Sequence, residues 1–157
     1  MPSGSSGDVA SIVQALKHKP GALLPILHGI QEKFGYVPSE AVPIIASELN
    51  LTRAEVHGVV SFYHDFRSKP PGRHVVRICQ AESCQAMGSV ELTTFAKERL
   101  GVGFHETTKD EAFSLEPVYC LGNCACSPAM MVDEEVFGRM TPQRFQKILQ
   151  EVVGQAE

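Results

Sequence analysis

Five cysteines stand in this chain, and four of them fall into two pairs: Cys79 with Cys84 and, thirty-five residues further on, Cys120 with Cys124. The pairs read C-x4-C and C-x3-C, and each follows a short apolar run with the composition of a strand that ends in a loop. Thiolates are soft, anionic ligands that suit zinc, Cu(I) or iron-sulfur clusters. Structural zinc sites usually close each thiolate pair as a tight knuckle around one tetrahedral ion. A gap of four between thiolates is known from [2Fe-2S] ferredoxins, where the loop wraps a bulkier group. The spacing therefore favours [2Fe-2S] and leaves zinc as the alternative. A thiol-redox enzyme would place a C-x-x-C where a helix start acidifies one thiol, and the sequence holds no C-x-x-C.

Two ferric ions, two sulfides and four thiolates carry a charge of minus two, and reduction makes it minus three. A low-dielectric pocket penalises the added charge, so backbone N–H groups and nearby positive charge must set the potential within the range of about −700 to +450 mV known for such clusters. Gly122, Ala125 and Gly88 are small enough for backbone amides to approach sulfur, and Arg77 is a candidate positive charge, although an arginine in an alternating strand is more often a solvated surface residue. Cys126, two residues past Cys124, is read as a buried packing thiol; its other possible roles are substitute ligand and weak S–H donor. The six histidines, His18, His28, His57, His64, His74 and His105, are dispersed. Four thiolates complete a [2Fe-2S] site without the imidazoles of a Rieske centre. His57 and His64 are read as partner contacts or hydrogen-bonded core residues, and Glu82 and the acidic run Asp133 to Glu135 as solvated turns.

The elements that must position these thiols change character along the chain. Up to residue 70 the apolar residues recur at helical spacing: a weak helix from Asp8 to His18, a second through Leu23, Leu24, Leu27, Ile30 and Phe34 ending at Gly35, a third capped by Ser39, and a fourth opened by the T-x-x-E pair Thr52 and Glu55. Ser68 to Gly72, with two prolines and a glycine, reads as a boundary. Beyond it the expected order is strand His74–Ile78 leading into Cys79, helix Met87–Leu100 with Val90, Leu92, Phe95 and Leu100 as its apolar residues, strand Phe113–Tyr119 leading into Cys120, a hairpin of Ala129–Val132 and Val136–Met140, and a helix started by Thr141-Pro142. The fold class is thus α+β: an N-terminal helical module over residues 1–70, with residues 1–7 disordered, followed by a thioredoxin-like α/β [2Fe-2S] domain over residues 71–157.

Bulk properties set limits on function. The 157 residues, 43% of them hydrophobic, are enough to bury a core, and the net charge is −4. Lysines and arginines are scattered, with no basic stripe to neutralise phosphates, so no nucleic-acid partner is expected. No apolar run nears the roughly 20 residues of a membrane span, and no secretory leader is evident; the expected location is the cytoplasm, without direct membrane insertion. Gly101-Val102-Gly103 lacks the context of a dinucleotide fingerprint and reads as a turn. No active site belonging to the chain itself is found.

The run from Tyr119 through C-L-G-N-C-A-C-S-P to Asp133, together with Val75 to Cys79 and Glu82-Ser83-Cys84, resembles the thioredoxin-like [2Fe-2S] ferredoxin family, which includes the 24-kilodalton subunit of respiratory complex I. Phe34 to Pro38 and Gly58 to Tyr63 resemble that family's helical region, and the likeness spans residues 20–153. The resemblance implies one [2Fe-2S] cluster held by Cys79, Cys84, Cys120 and Cys124, and an electron-transfer subunit that exchanges electrons with an FMN- and NAD-binding flavoprotein. Within the family, the C-L-G-N-C-A-C-S-P form and the compact C-terminus look most like the gamma subunit of soluble NAD-dependent formate dehydrogenase, which adds a molybdenum-containing catalytic subunit as a more distant partner. The alternatives are the equivalent subunit of a bidirectional NAD-linked hydrogenase or of complex I, a free-standing ferredoxin shuttle and, from another class, a zinc-stabilised interaction module. The helical module is expected either to pack on the ferredoxin domain or to dock the flavoprotein.

Overall fold

The computed structural model describes residues 6–154, which divide into two compact units with the break between Pro70 and Pro71. Of the residues expected to be disordered, 1–5 lie outside the described ones, and Ser6 and Gly7 form the first turn of a helix.

The first unit is four helices, α1 Ser6–Leu16, α2 Leu23–Phe34, α3 Ala41–Leu49 and α4 Arg53–Phe62. Their apolar stripes meet in one core built on Val9, Val13, Ile26, Leu27, Ile30, Ile45 and Val56. Local chemistry sets the helix ends. Gly35 closes α2 in the left-handed conformation at φ 80°, its N–H donating to the Gln31 carbonyl, where an L side chain would be disfavoured. Thr52 and Glu55 form a complete capping box at α4: the hydroxyl accepts from the Glu55 N–H at 3.2 Å and the carboxylate accepts from the Thr52 N–H at 2.7 Å. Ser39 does not cap α3. That helix starts two residues later behind Glu40, with no side-chain cap, and the Ser39 carbonyl rather than its hydroxyl accepts from Val42.

The second unit contains β1 His74–Cys79, α5 Glu82–Ala86, α6 Ser89–Leu100, β2 Glu106–Thr107, β3 Phe113–Val118, β4 Met130–Val132, β5 Glu135–Phe137 and α7 Pro142–Gly154. The strands form one sheet in the order β2-β3-β1-β4-β5. At its centre β1 and β3 run parallel, with His74 opposite Phe113 and Cys79 opposite Val118, and the remaining pairs are antiparallel. Val76, Ile78, Leu115 and Met130 of the strands pack with Leu92, Ala96, Phe145 and Ile148 of α6 and α7, and Phe95 meets Phe145 edge-on at 6.1 Å. Pro142 stands first in α7, and the Thr141 hydroxyl accepts from the Arg144 N–H at 3.2 Å.

Several details differ from the sequence expectation for physical reasons. The helix expected from Met87 begins at Ser89, because Gly88 at φ 99° breaks the chain and leaves α5 as a separate short helix. Val90, apolar though it is, is 59% exposed, and Leu92, Thr93 and Ala96 take the buried side of α6. Strand β5 stops at Phe137 rather than Met140. Arg139 has positive φ, and its N–H turns away to the Cys126 carbonyl at 2.6 Å. Asp133 is more than a solvated turn residue: its carboxylate accepts from the Val75 N–H and the His74 ring, both at 2.8 Å.

Candidate metal centre

Cys79 is the last residue of the central strand, and its backbone is fixed on three sides. Its N–H donates to the Ala129 carbonyl at 3.1 Å, the Gln80 N–H that follows donates to Val118 at 2.7 Å, and its carbonyl accepts from the Ser89 hydroxyl at the start of α6. The Gln80 amide continues the network to Thr93 Oγ1 at 2.9 Å and the Ile78 carbonyl at 3.2 Å. The chain then turns into α5, which carries Cys84 back beside Cys79. Both thiols are 2% exposed and pack with Ala129 among Ala81, Val118 and Leu121.

The second pair lies on the loop that leaves β3. Gly122, at φ 71°, lets this loop bend back, and its N–H donates to Cys120 Sγ at 3.3 Å. Cys124 opens a single 3-10 turn that ends at Cys126. Cys120 and Cys124 are exposed, as is the neighbouring Tyr119, and Cys126, expected to be buried, is half-buried. Ser127 ties this loop to α5: its hydroxyl donates to the Cys124 carbonyl at 2.9 Å and lies 2.9 Å from Ser83 Oγ and 3.5 Å from Cys84 Sγ. The far side of the turn rests on Gly138, where a Cβ atom would come within 2.6 Å of Cys126 Cβ.

The thiols act on one another across the pairs. Burial pushes the Cys79 thiol up, Cys84 adds to this, and the N–H groups of Ala81 and Leu121 oppose it. For Cys84 burial also acts upward, but the Ser127 hydroxyl, the Ala129 N–H and the Cys79 thiol together bring it down. Cys124 is raised first by the charge of Cys120, then by loss of solvent and by Cys84. Thiolates this close to one another repel, so they ionise together only beside a compensating cation. Among the described residues no three His, Cys, Asp or Glu side chains close on a point where a single ion would sit. The thiols stand instead as two adjoining pairs, one buried and one exposed, with backbone N–H groups directed at sulfur. That soft, anionic donor set fits a thiolate-bound metal group.

The structure brings all four sequence-predicted cysteines to one end of the β1/β3 pair. Of the amides expected near sulfur, Gly122 is there, joined by Ala81, Leu121 and Ala129, whereas the Gly88 N–H donates to the Gln85 carbonyl. Arg77 does not face the site, since its guanidinium donates to the Asp133 carbonyl at 3.1 Å. Both imidazoles of this unit are engaged by carboxylates, His74 by Asp133 at 2.8 Å and His105 by Glu116 at 2.7 Å. Ser89, Ser127 and Gly138 were not singled out from the sequence. The S-P and F-G dipeptides contain Ser127 and Gly138, but neither dipeptide marks a contact between distant segments.

Comparison with known proteins follows the same lines. The family described as thioredoxin-like [2Fe-2S] ferredoxin matches residues 9–153. The NADP-reducing hydrogenase subunit HndA of Solidesulfovibrio fructosivorans is 34% identical over 151 residues, which cover 96% of this chain and 88% of that protein. An NADH-quinone oxidoreductase subunit from Pseudomonas aeruginosa is 36% identical over 132 residues, covering 84% of this chain and 80% of its own. Among solved structures, the NAD+-reducing [NiFe]-hydrogenase in its air-oxidized state shares the fold, with a TM-score of 0.70 at 20% identity over 90% of this chain. The alignment spans about a quarter, 24%, of that longer chain. No helix among the described residues is long and apolar enough to cross a membrane.

Proposed function

The chain belongs to the thioredoxin-like [2Fe-2S] ferredoxin family, whose members bind one [2Fe-2S] cluster, and from that premise we propose that it is a cytoplasmic electron-transfer subunit of an NAD-linked oxidoreductase. The observation that carries this reading is the convergence of two cysteine pairs at one end of a parallel strand pair, with N–H donors aimed at their sulfurs. We assign Cys79, Cys84, Cys120 and Cys124 as the ligands. When bound, the cluster takes up and returns one electron. Cys79 and Cys84 hold the inner side, screened from water by Ala129, Val118 and Leu121. Cys120 and Cys124 lie at the surface, where a redox partner can approach within electron-transfer reach. The N–H groups of Gly122, Ala81, Leu121 and Ala129 spread the thiolate charge, which favours the reduced state.

The direct partner in this reading is an FMN-containing, NADH-oxidising subunit, in keeping with the NAD- and NADP-linked relatives. The C-L-G-N-C-A-C-S-P run supports the gamma subunit of a formate dehydrogenase. A hydrogenase subunit is the second reading, favoured by the 34% identity to HndA over 96% of the chain.

Anaerobic purification of the chain should give a coloured protein with acid-labile sulfide and an EPR signal on one-electron reduction. A colourless protein with one tightly bound zinc per chain would overturn the proposal. Cys126→Ser should keep the cluster and Cys120→Ser should disrupt it, and the reverse pattern would unseat the ligand assignment. Affinity purification from the native cell then separates the parent complexes: molybdenum and flavin co-purify in the formate dehydrogenase reading, nickel or additional iron in the hydrogenase reading.

A further inference from the structure

We infer that the Ser127 hydroxyl, assisted by Ser83, donates a hydrogen bond to the Cys84 sulfur in the cluster-loaded chain and thereby raises its reduction potential. The inference rests on the assignment of Cys84 as a ligand and goes beyond it to a residue that holds no iron. Ser127 Oγ lies 3.5 Å from Cys84 Sγ, within hydrogen-bonding range for sulfur, on a residue 9% exposed beside a thiol 2% exposed. As a free thiol Cys84 can donate in this contact; as a ligand it has no proton, so the hydroxyl must be the donor.

The hydroxyl has one proton and three acceptors within reach, the Cys84 sulfur at 3.5 Å and the Cys124 carbonyl and Ser83 Oγ, each at 2.9 Å. Ser83 resolves the competition. Its own hydroxyl lies 2.9 Å from Ser127 Oγ and 3.5 Å from the same Cys124 carbonyl, so it can take over that carbonyl and release the Ser127 proton to sulfur. Reduction adds negative charge that is shared by the ligand sulfurs, and an O–H donor to one of them is worth more in the reduced state than in the oxidised one. Ser127 is thus a positioning residue for charge at Cys84, and it also joins the two cysteine loops by binding each of them.

The test is a potentiometric titration of the full cluster-loaded chain, followed by EPR, with Ser127→Thr, Ser127→Val, Ser127→Ala and Ser83→Ala. Thr keeps the hydroxyl and Val has the same outline without it. Thr should reduce within about twofold of the native equilibrium, whereas Val and Ala should be at least threefold harder to reduce, toward a tenfold change of about 59 mV for one electron. Ser83→Ala should shift the same way by a smaller factor, because Ser127 must then divide its one proton between the Cys124 carbonyl and the Cys84 sulfur. Native potentials in Val and Ala, or an equal fall in Thr, would overturn the inference. Should the Val and Ala chains hold no cluster, Ser83→Ala decides: an unchanged potential there refutes the relay. Cys84→Ala separates the two levels of the argument. If it keeps a native cluster, the ligand assignment fails; if it loses the cluster while the serine variants leave the potential unmoved, only the role of Ser127 fails.

Discussion

A single methyl group added at Gly138 probes how tightly the second cysteine loop is held. The built Cβ would sit 2.6 Å from Cys126 Cβ and 2.8 Å from both Asn123 Nδ2 and the Cys126 carbonyl. Carbon atoms rest at about 3.5–4.0 Å, so the turn carrying Cys124 and Cys126 must withdraw by about 1 Å. It is not free to do so, because the next residue, Arg139, donates its N–H to that same Cys126 carbonyl at 2.6 Å. Gly138 is not in the left-handed region, so alanine meets no backbone penalty and the cost is steric. Overpacking of this kind costs about 1–3 kcal/mol, offset by about 0.4–1 kcal/mol for the freedom the unfolded chain loses. A net loss of about 1–2 kcal/mol corresponds to a Tm lower by about 4–16 °C for a domain of 60–100 residues. Thermal unfolding of the apo chain by circular dichroism measures the first effect. Loss of visible absorbance in the presence of a chelator measures the second, cluster release about 5–30-fold faster, the factor that matches such a free energy. Gly58→Ala is the control: nothing lies within 4 Å of its built Cβ in mid-α4, and alanine there should stabilise by about 0.5–1 kcal/mol. A Gly138→Ala chain that melts within about 2 °C of the native one and releases its cluster at the same rate would refute the close approach and the reasoning built on it.

Three further outcomes are expected. Ser89→Ala removes the donor to the Cys79 carbonyl at a residue 0% exposed, and the unfolding free energy from a urea titration should fall by about 1–3 kcal/mol; an unmoved midpoint would mean that the carbonyl has a second partner. Thr52→Ala opens the capping box of α4 and should cost about 1 kcal/mol in the same titration, whereas Thr52→Ser should restore most of it. The Thr52 N–H, followed by its hydroxyl, holds the Glu55 carboxyl below its ordinary pKa. A depressed acid gives stability that is present above the unfolded value of about 4.3 and lost as pH falls through the folded value. The Tm advantage of the native chain over Glu55→Gln should therefore be present at neutral pH and vanish in acid; an advantage that persists at low pH would show that the carboxylate charge is not its source.

Whatever depends on neighbours in sequence was legible before the structure. The capping box at Thr52 needs only a hydroxyl and a carboxylate three residues apart, Gly35 needs only its freedom at positive φ, and both strand-to-cysteine transitions announce themselves as apolar runs that stop. What stayed hidden depends on contact between distant segments or on elements too short to have a period. Strand β2 is two residues long and cannot show alternation. Helix α5 spans five residues, so Cys84 read as a loop residue although it is helical. Val90 fits an apolar helical stripe by spacing, yet α6 is rotated so that Thr93 and Ala96 face inward, because Gln80 and the Cys79 carbonyl draw Ser89 and Thr93 to that side. Ser127 and Gly138 matter only because the chain folds Ser83 against one and Cys126 against the other.

The two spacings carried by the cysteines speak to different levels of the molecule. Within a pair, four or three intervening residues report on the group to be held. Between the pairs, the thirty-five residues report on the fold. A parallel strand pair obliges the chain to return from the end of β1 to the start of β3, and the twelve residues of α6 rise about 18 Å at 1.5 Å each, which nearly matches the about 20 Å of a six-residue strand. Helix α6 is therefore the length that delivers Phe113 opposite His74 and, at the far end of the strand, Val118 opposite Cys79. A slip of one residue in that register would turn every side chain of β3 to the other face of the sheet and carry the Cys120 loop away from Cys79. Neither pair completes a site alone. The hydrogen-bonded register between β1 and β3 brings four thiols scattered in sequence to one end of the sheet, and the helices that bury Val76, Ile78 and Leu115 hold that register in place.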